Sequence, residues 1–130
     1  MADDKKIKMS CEGSANLYAN QVMFRRMISN LLSNALKYTP ENGLIQIIIK
    51  KTNHHSVEII IRDNGVGIAA EHFPKIFDRF YRVDPARSHA TGSTGLGLAI
   101  VKSIIDLHHA TISIQSEPGK GTTFILRFPK

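Results

Sequence analysis

One cysteine and no long apolar run mark this 130-residue chain first by what it excludes. A lone Cys11 has no partner for an internal disulfide, which fits a reducing compartment. No stretch approaches the ~18 apolar residues of a membrane span, and the opening MADDKKIKMS has none of the apolar core of a signal peptide. Repeats, linkers and low-complexity tracts are also missing, so residues 1–130 read as a single unit, with residues 1–6 carrying no functional weight. That length suffices for one core, burying roughly two-thirds of the unfolded surface. Hydrophobic residues at 42% and charged residues at 22% are those of an ordinary globular chain.

What is present in excess is positive charge, with 17 basic against 11 acidic residues and a net +6. Such an excess suits an anionic partner, whether nucleic acid, a membrane surface or a phosphate, and equally a solvated basic face. Arg79, Arg82 and Arg87 fall close together beside glycine-rich sequence, which points towards phosphate.

Apolar residues from Phe24 to Leu36 recur at helical period, predicting a helix over about 19–38 that Pro40 and Gly43 stop. LIQIIIKK (44–51) and VEIIIRD (57–63) are short and β-branched, an antiparallel pair across a polar turn. A short helix is expected over 71–77 and a longer one over 95–109. Strands follow at 111–116 and 122–128, joined by Pro118-Gly119-Lys120-Gly121, and a further strand near 7–11 is compatible with the pattern. Residues 78–94 show no periodicity, which in a small domain suggests a functional loop or lid. The expected fold class is α+β: a two-layer α/β sandwich with a mixed, mostly antiparallel sheet covered on one face by helices.

Three local patterns carry chemistry. Asn30, Asn34 and Lys37 make one stripe on the first helix. An Asn oxygen suits Mg²⁺ and a lysine suits phosphate, although an exposed polar stripe would look the same. Asp63-Asn64-Gly65-Val66-Gly67 places a carboxylate at the end of a buried strand, where glycines let a ligand approach. Such a carboxylate can accept from an exocyclic amine, as in adenine. Glycines Gly92, Gly95 and Gly97 run into a helix N-terminus, a site for phosphate. Neither a P-loop nor a G-x-G-x-x-G fingerprint is present. Each pattern alone is weak.

In combination they are specific. NLLSNALKYTP, DNGVGI, IFDRFYRVD, GLGLAIVKSI and GKGTTF, in this order, resemble the N box, first glycine box, F box, second glycine box and closing glycine motif of the ATP-binding catalytic domain of bacterial sensor histidine kinases. This family shares a superfamily with gyrase and mismatch-repair ATPases, and the match runs from about residue 18 to 128. FRRMISNLLSNAL with FDRFYRVDPARS is similar to the heavy-metal-sensing subgroup. The resemblance implies a Bergerat-type fold with an ATP lid over 78–94, and Mg²⁺ and ATP as cofactors. Asn34 would then hold the metal, Asn30 would support the same network, and Lys37 would stand near the phosphates. Tyr38 would line the adenine pocket, Asp63 would take the adenine amine, and Gly65 and Gly67 would let the base lie against the backbone. Arg82 and Arg87 would meet the triphosphate from the lid, and Thr94, Gly95, Leu96 and Gly97 would cradle phosphates. Phe77 and Phe80 would anchor the lid by burial.

In the relatives that hydrolyse ATP, a glutamate stands where this chain has Asn30, which cannot act as a general base. The resemblance therefore implies phosphoryl transfer to a protein histidine, carried by positioning and charge neutralisation. None of the six histidines sits in an acceptor context, so the acceptor is expected on a separate dimerisation domain. A downstream response regulator would be a further partner, with no nucleic acid and no membrane contact by this part of the chain. A cytoplasmic location, in a protein anchored to the inner membrane elsewhere, follows from the same resemblance. The alternatives are an ATP-hydrolysing relative and a non-enzymatic basic binding module, although aromatic platforms for single-stranded nucleic acid are not interleaved with the basic residues.

Overall fold

The computed structural model describes residues 7–13, 15, 19–40, 42–52, 56–78 and 97–129. Strand β1 (Lys8–Glu12) leads to helix α1 (Gln21–Tyr38), strands β2 (Leu44–Lys51) and β3 (Val57–Asp63), a 3-10 turn (Ala70–His72), helix α2 (Gly97–Leu107), and strands β4 (Thr111–Glu117) and β5 (Gly121–Phe128). The five strands form one sheet in the order β1-β2-β3-β5-β4. Only β1–β2 is parallel; the other pairings are antiparallel. The expected strands are all found, their ends within about a residue, and the sheet is mixed and mostly antiparallel.

Period-two alternation decides which face of the sheet is covered. Ile47, Ile61, Phe124 and Ile114 lie opposite one another across four strands. With Ile59, Leu126 and Phe128 they join Met27 and Leu31 of α1 and Val101, Ile104 and Ile105 of α2 in one core. Met27, Leu31 and Ala35 recur every fourth residue, so they form the line that α1 presses on the sheet. Leu31 is fully buried, which contributes on the order of 2 kcal/mol. The opposite face is mixed, with the row Ile48, Ile60 and Ile125 between polar rows. There Glu58 is nearly buried between Arg127, whose guanidinium donates to it at 2.7 Å, and Lys50 at 3.5 Å. The Arg127 hydrogen bond outweighs burial and holds this carboxyl below its ordinary value.

Helix ends are set locally. Asn20 caps α1, its side chain accepting from the Met23 N–H at 3.0 Å. The Asn20 N–H donates to His108 Nε2 at 3.0 Å, while His108 Nδ1 lies 2.8 Å from the Ile104 carbonyl. A carbonyl only accepts, so Nδ1 carries the proton and Nε2 is free to accept. His109, at φ 54°, then ends α2: its N–H meets the Asp106 carbonyl and the Ala110 N–H meets that of Ile105. This is a Schellman closure.

The helix expected over 71–77 is instead a 3-10 turn followed by further turns. Pro74 has no N–H, so the α-type bond to Ala70 cannot form. The segment uses three-residue steps, Phe73 to Ala70, Lys75 to His72 and Asp78 to Lys75. Phe77 is half-buried and meets Phe124 edge-on at 6.4 Å, whereas Phe80 lies outside the described residues. So does the 78–94 stretch apart from Asp78.

Candidate functional site

The site starts from a cross-strand row on the helix-covered face. Ile45, Asp63, Thr122 and Ser116 stand directly opposite one another across β2, β3, β5 and β4. Asp63 is 7% exposed and Thr122 4%. Burial pushes the Asp63 carboxyl above its ordinary value; hydrogen bonds from the Gly65 and Thr122 backbone N–H groups oppose that shift. The first of these is 2.8 Å long. A buried acceptor held at a fixed position by two backbone donors is suited to receiving a ligand's N–H.

Glycine is required where the loop after Asp63 meets the β4–β5 turn. Gly67 has φ 76°, and a Cβ there would fall 2.0 Å from the Glu117 carbonyl oxygen. Gly121 has φ 90°, and its Cβ would fall 2.0 Å from the Asp63 carbonyl oxygen. Close backbone approach at both points is closed by two hydrogen bonds, Gly119 N–H to the Val66 carbonyl at 2.8 Å and Ile68 N–H to Ser116 Oγ at 2.7 Å. On the other side, Asn64 acts as an extra rung of the ladder. Its side-chain oxygen accepts from the Leu44 N–H at 2.8 Å, and its own N–H donates to the Leu44 carbonyl at 3.2 Å. The glycine loop is thus held at both flanks.

The asparagine stripe is brought to this end of the sheet. Ala35 packs with Ile45, the cross-strand neighbour of Asp63, so the turn of α1 carrying Asn34 lies beside the Asp63 row. Asn30 and Asn34 are half-buried. The Asn30 Nδ2 is buried and has no hydrogen-bond partner among the described residues, an arrangement that costs about 1–3 kcal/mol unless a ligand supplies the acceptor. Lys37 is half-buried and occupies the last turn of α1. Tyr38 is the final residue of that helix.

Helix α2 completes the geometry. Since His108 at its C-terminal end meets Asn20 at the start of α1, the two helices run antiparallel. The eleven residues of α2 span about 16 Å at ~1.5 Å per residue. Gly97, its first residue, therefore lies about level with the Asn30–Asn34 turn. Among the described residues, a Cβ on Gly97 would meet nothing within 4 Å. Of the residues expected from sequence, Asn30, Asn34, Lys37, Asp63, Gly65, Gly67 and Gly97 converge on one end of the sheet. Arg82, Arg87, Thr94, Gly95 and Leu96 lie outside the described residues.

Sequence patterns do not single out Asn64 or Ser116, and Thr122 stands out only as part of a glycine motif. A cavity of about 670 Å³ that reaches Asp63, Asn64 and Ser116 of this site opens on the uncovered face, where Gln46, Arg62, Thr123 and Gln115 line it. By register these side chains point away from α1 and α2.

Residues 19–130 match the family of histidine kinase-, DNA gyrase B-, and HSP90-like ATPases. The chain belongs to this family. It is 43% identical over 129 residues to the sensor protein IrlS of Burkholderia pseudomallei, covering 99% of this chain and 28% of that protein. It is 42% identical over 130 residues to the sensor histidine kinase CusS of Escherichia coli K12, covering 99% and 27%. The chain spans little more than a quarter of the length of these relatives. Among solved structures, the nucleotide-free catalytic domain of histidine kinase ThkA superposes with a TM-score of 0.82 at 28% identity, covering 99% of this chain and 82% of that one. The mycobacterial sensor histidine kinase MprB shares the fold, with a TM-score of 0.84 at 24% identity over 98% of this chain and 85% of the other. Within the family, the similarity is to sensor histidine kinases and to a histidine kinase catalytic domain. No helix among the described residues is long and apolar enough to cross a membrane.

Proposed function

We propose that this domain binds Mg²⁺-ATP between the Asn30–Lys37 edge of α1, the Asp63 row and the start of α2, and passes the γ-phosphoryl group to a histidine on a dimerisation domain outside residues 1–130. The observation that carries this reading is the buried Asp63 carboxylate, fixed by backbone donors beside a glycine loop, with a polar helix edge leading away from it. Base and triphosphate need those two surfaces at one sheet end. Asp63 takes the exocyclic amine, and Gly65 and Gly67 admit the ring against backbone. Lys37 meets phosphate as a point charge. The orphaned Asn30 donor would gain a phosphate oxygen.

The donor set fits Mg²⁺. The described residues gather no group of three or more His, Cys, Asp and Glu, so a cation here would rest on the Asn34 amide oxygen and on phosphate oxygens, a mode Mg²⁺ favours. Bound there, Mg²⁺ would supply neutralisation of the charge on the transferring phosphoryl group. In the transfer the bond from the γ-phosphorus to the β-bridging oxygen breaks, a phosphorus–nitrogen bond forms, and the acceptor imidazole loses its proton. Asn30 cannot take a proton from water, which supports transfer over hydrolysis. Arg82 and Arg87 would meet the phosphates from a lid over 78–94, with Thr94, Gly95, Leu96 and Gly97 at the helix start and Tyr38 beside the base.

The remaining proposals concern the longer protein: a cytoplasmic catalytic part of a membrane-anchored sensor, of the heavy-metal-sensing subgroup, that serves a response regulator. The test is to mix this chain with γ-labelled ATP, Mg²⁺ and its cognate dimerisation domain. Acid-labile label on that domain, lost with Asn34→Ala, is expected. Steady phosphate release by the chain alone, with no label on the acceptor, would favour the hydrolytic alternative.

A further inference from the structure

Ser116 holds a hydroxyl whose every hydrogen-bonding capacity is committed. It receives the Ile68 N–H at 2.7 Å, lies 2.8 Å from the Gly121 carbonyl oxygen, and lies 2.9 Å from Thr122 Oγ1. A serine hydroxyl offers one proton and two lone pairs. A carbonyl oxygen can only accept, so the proton goes to Gly121. A backbone N–H can only donate, so one lone pair serves Ile68. What is left for Thr122 is a lone pair, and the Thr122 hydroxyl must be the donor.

The direction of that bond reaches the site. With its single proton turned to Ser116, Thr122 retains lone pairs and no donor for anything else. Thr122 stands directly opposite Asp63, with Cβ atoms about 5 Å apart as in any such cross-strand pair. Both side chains are nearly buried. The Asp63 carboxylate is an acceptor as well, so two neighbouring side chains present acceptors alone.

From this we infer that Ser116 is a positioning residue for base selection: by orienting the Thr122 proton it makes the end of the pocket an all-acceptor wall that takes a 6-amino purine and repels a 6-oxo purine. The inference rests on the proposal that Asp63 faces the base. Removing the Ser116 hydroxyl frees the Thr122 proton to turn towards the base. A 6-oxo group can then be received, and preference narrows even though Asp63 is intact.

The test measures dissociation constants for ADP and IDP by calorimetry, in Mg²⁺, on the 130-residue chain and its variants. The native chain should prefer ADP. Ser116→Ala should cut the ADP-to-IDP preference about tenfold, the scale of one hydrogen bond. Ser116→Thr, which keeps a hydroxyl, should restore most of the preference. Thr122→Val should lose it alone, and Ser116→Ala/Thr122→Val should lose no more. If Ser116 only braced the fold, Ser116→Ala would weaken both nucleotides by the same factor, and an unchanged ratio overturns the inference. Should Ser116→Ala fail to fold, Thr122→Val carries the test, and an unchanged ratio there overturns it equally. A native chain that binds neither nucleotide refutes the underlying reading of Asp63 and the inference with it.

Discussion

Replacing Gly67 by alanine puts a methyl group where the β4–β5 turn already lies. The added carbon would fall 2.0 Å from the Glu117 carbonyl oxygen, 2.7 Å from its carbon and 3.1 Å from the Pro118 Cα. All three are backbone atoms, so no side-chain rotation relieves the clash. Two penalties combine. An L-residue at φ 76° costs about 1 kcal/mol, and forced displacement of packed backbone adds about 1–3 kcal/mol. The expected loss is about 2–4 kcal/mol, a large part of the ~5–15 kcal/mol that stabilises a domain. Gly119 provides the control, because it lies in the same turn at φ 81° with nothing among the described residues within 4 Å of its added carbon. Gly119→Ala should therefore lose only about 1 kcal/mol. Urea unfolding followed by circular dichroism measures both, compared at constant denaturant slope. ADP affinity should fall more in Gly67→Ala, since relief of the clash moves the loop away from Asp63. Equal stability of the two variants would refute the idea that the turn clamps the glycine loop.

Asp63→Asn should stabilise the domain while weakening nucleotide binding. With its native-state pKa raised by burial, the Asp63 carboxyl binds its proton more tightly folded than unfolded, so its contribution to stability falls as pH rises through that window. Melting curves against pH should show this dependence in the native chain and lose it in Asp63→Asn; the same slope in both would exclude Asp63 as its source. Asn20→Ala removes the α1 cap and should lower stability by about 1 kcal/mol, read by urea unfolding, with little change in ADP affinity because the cap lies at the far end of α1. Asn34→Ala should leave the unfolding midpoint nearly unchanged while removing the Mg²⁺ dependence of ADP binding, which calorimetry with and without Mg²⁺ measures.

Much of this fold is legible in sequence because its helices have a clean period and its strands are short β-branched runs bounded by turn residues. LIQIIIKK and VEIIIRD are such runs and read as strands, and the Met27, Leu31 and Ala35 line repeats at helical spacing. The asparagine stripe and the aspartate–glycine loop are equally visible, since residue type and spacing carry the chemistry within a few positions. Ser116 is not. A serine in a half-buried strand is ordinary, and it acquires a role only by meeting Ile68, 48 positions earlier. Asn64 is similar: its ladder-closing bonds reach back to Leu44, 20 positions away. The expected helix at 71–77 overlooked one donor, because Pro74 removes the hydrogen bond that would have made it an α-turn. Periodicity starts α1 two residues early because the cap lies at Asn20, whose role depends on a fold-back of the side chain.

The most direct measurement is calorimetric titration of the chain with ADP in the presence of Mg²⁺, repeated with Asp63→Ala. A single saturable site in the native chain, lost in a variant that still unfolds cooperatively, is the expected result. Undiminished binding in Asp63→Ala would contradict the placement of the base at the Asp63–Thr122 row, and no binding by the native chain would contradict the nucleotide site altogether.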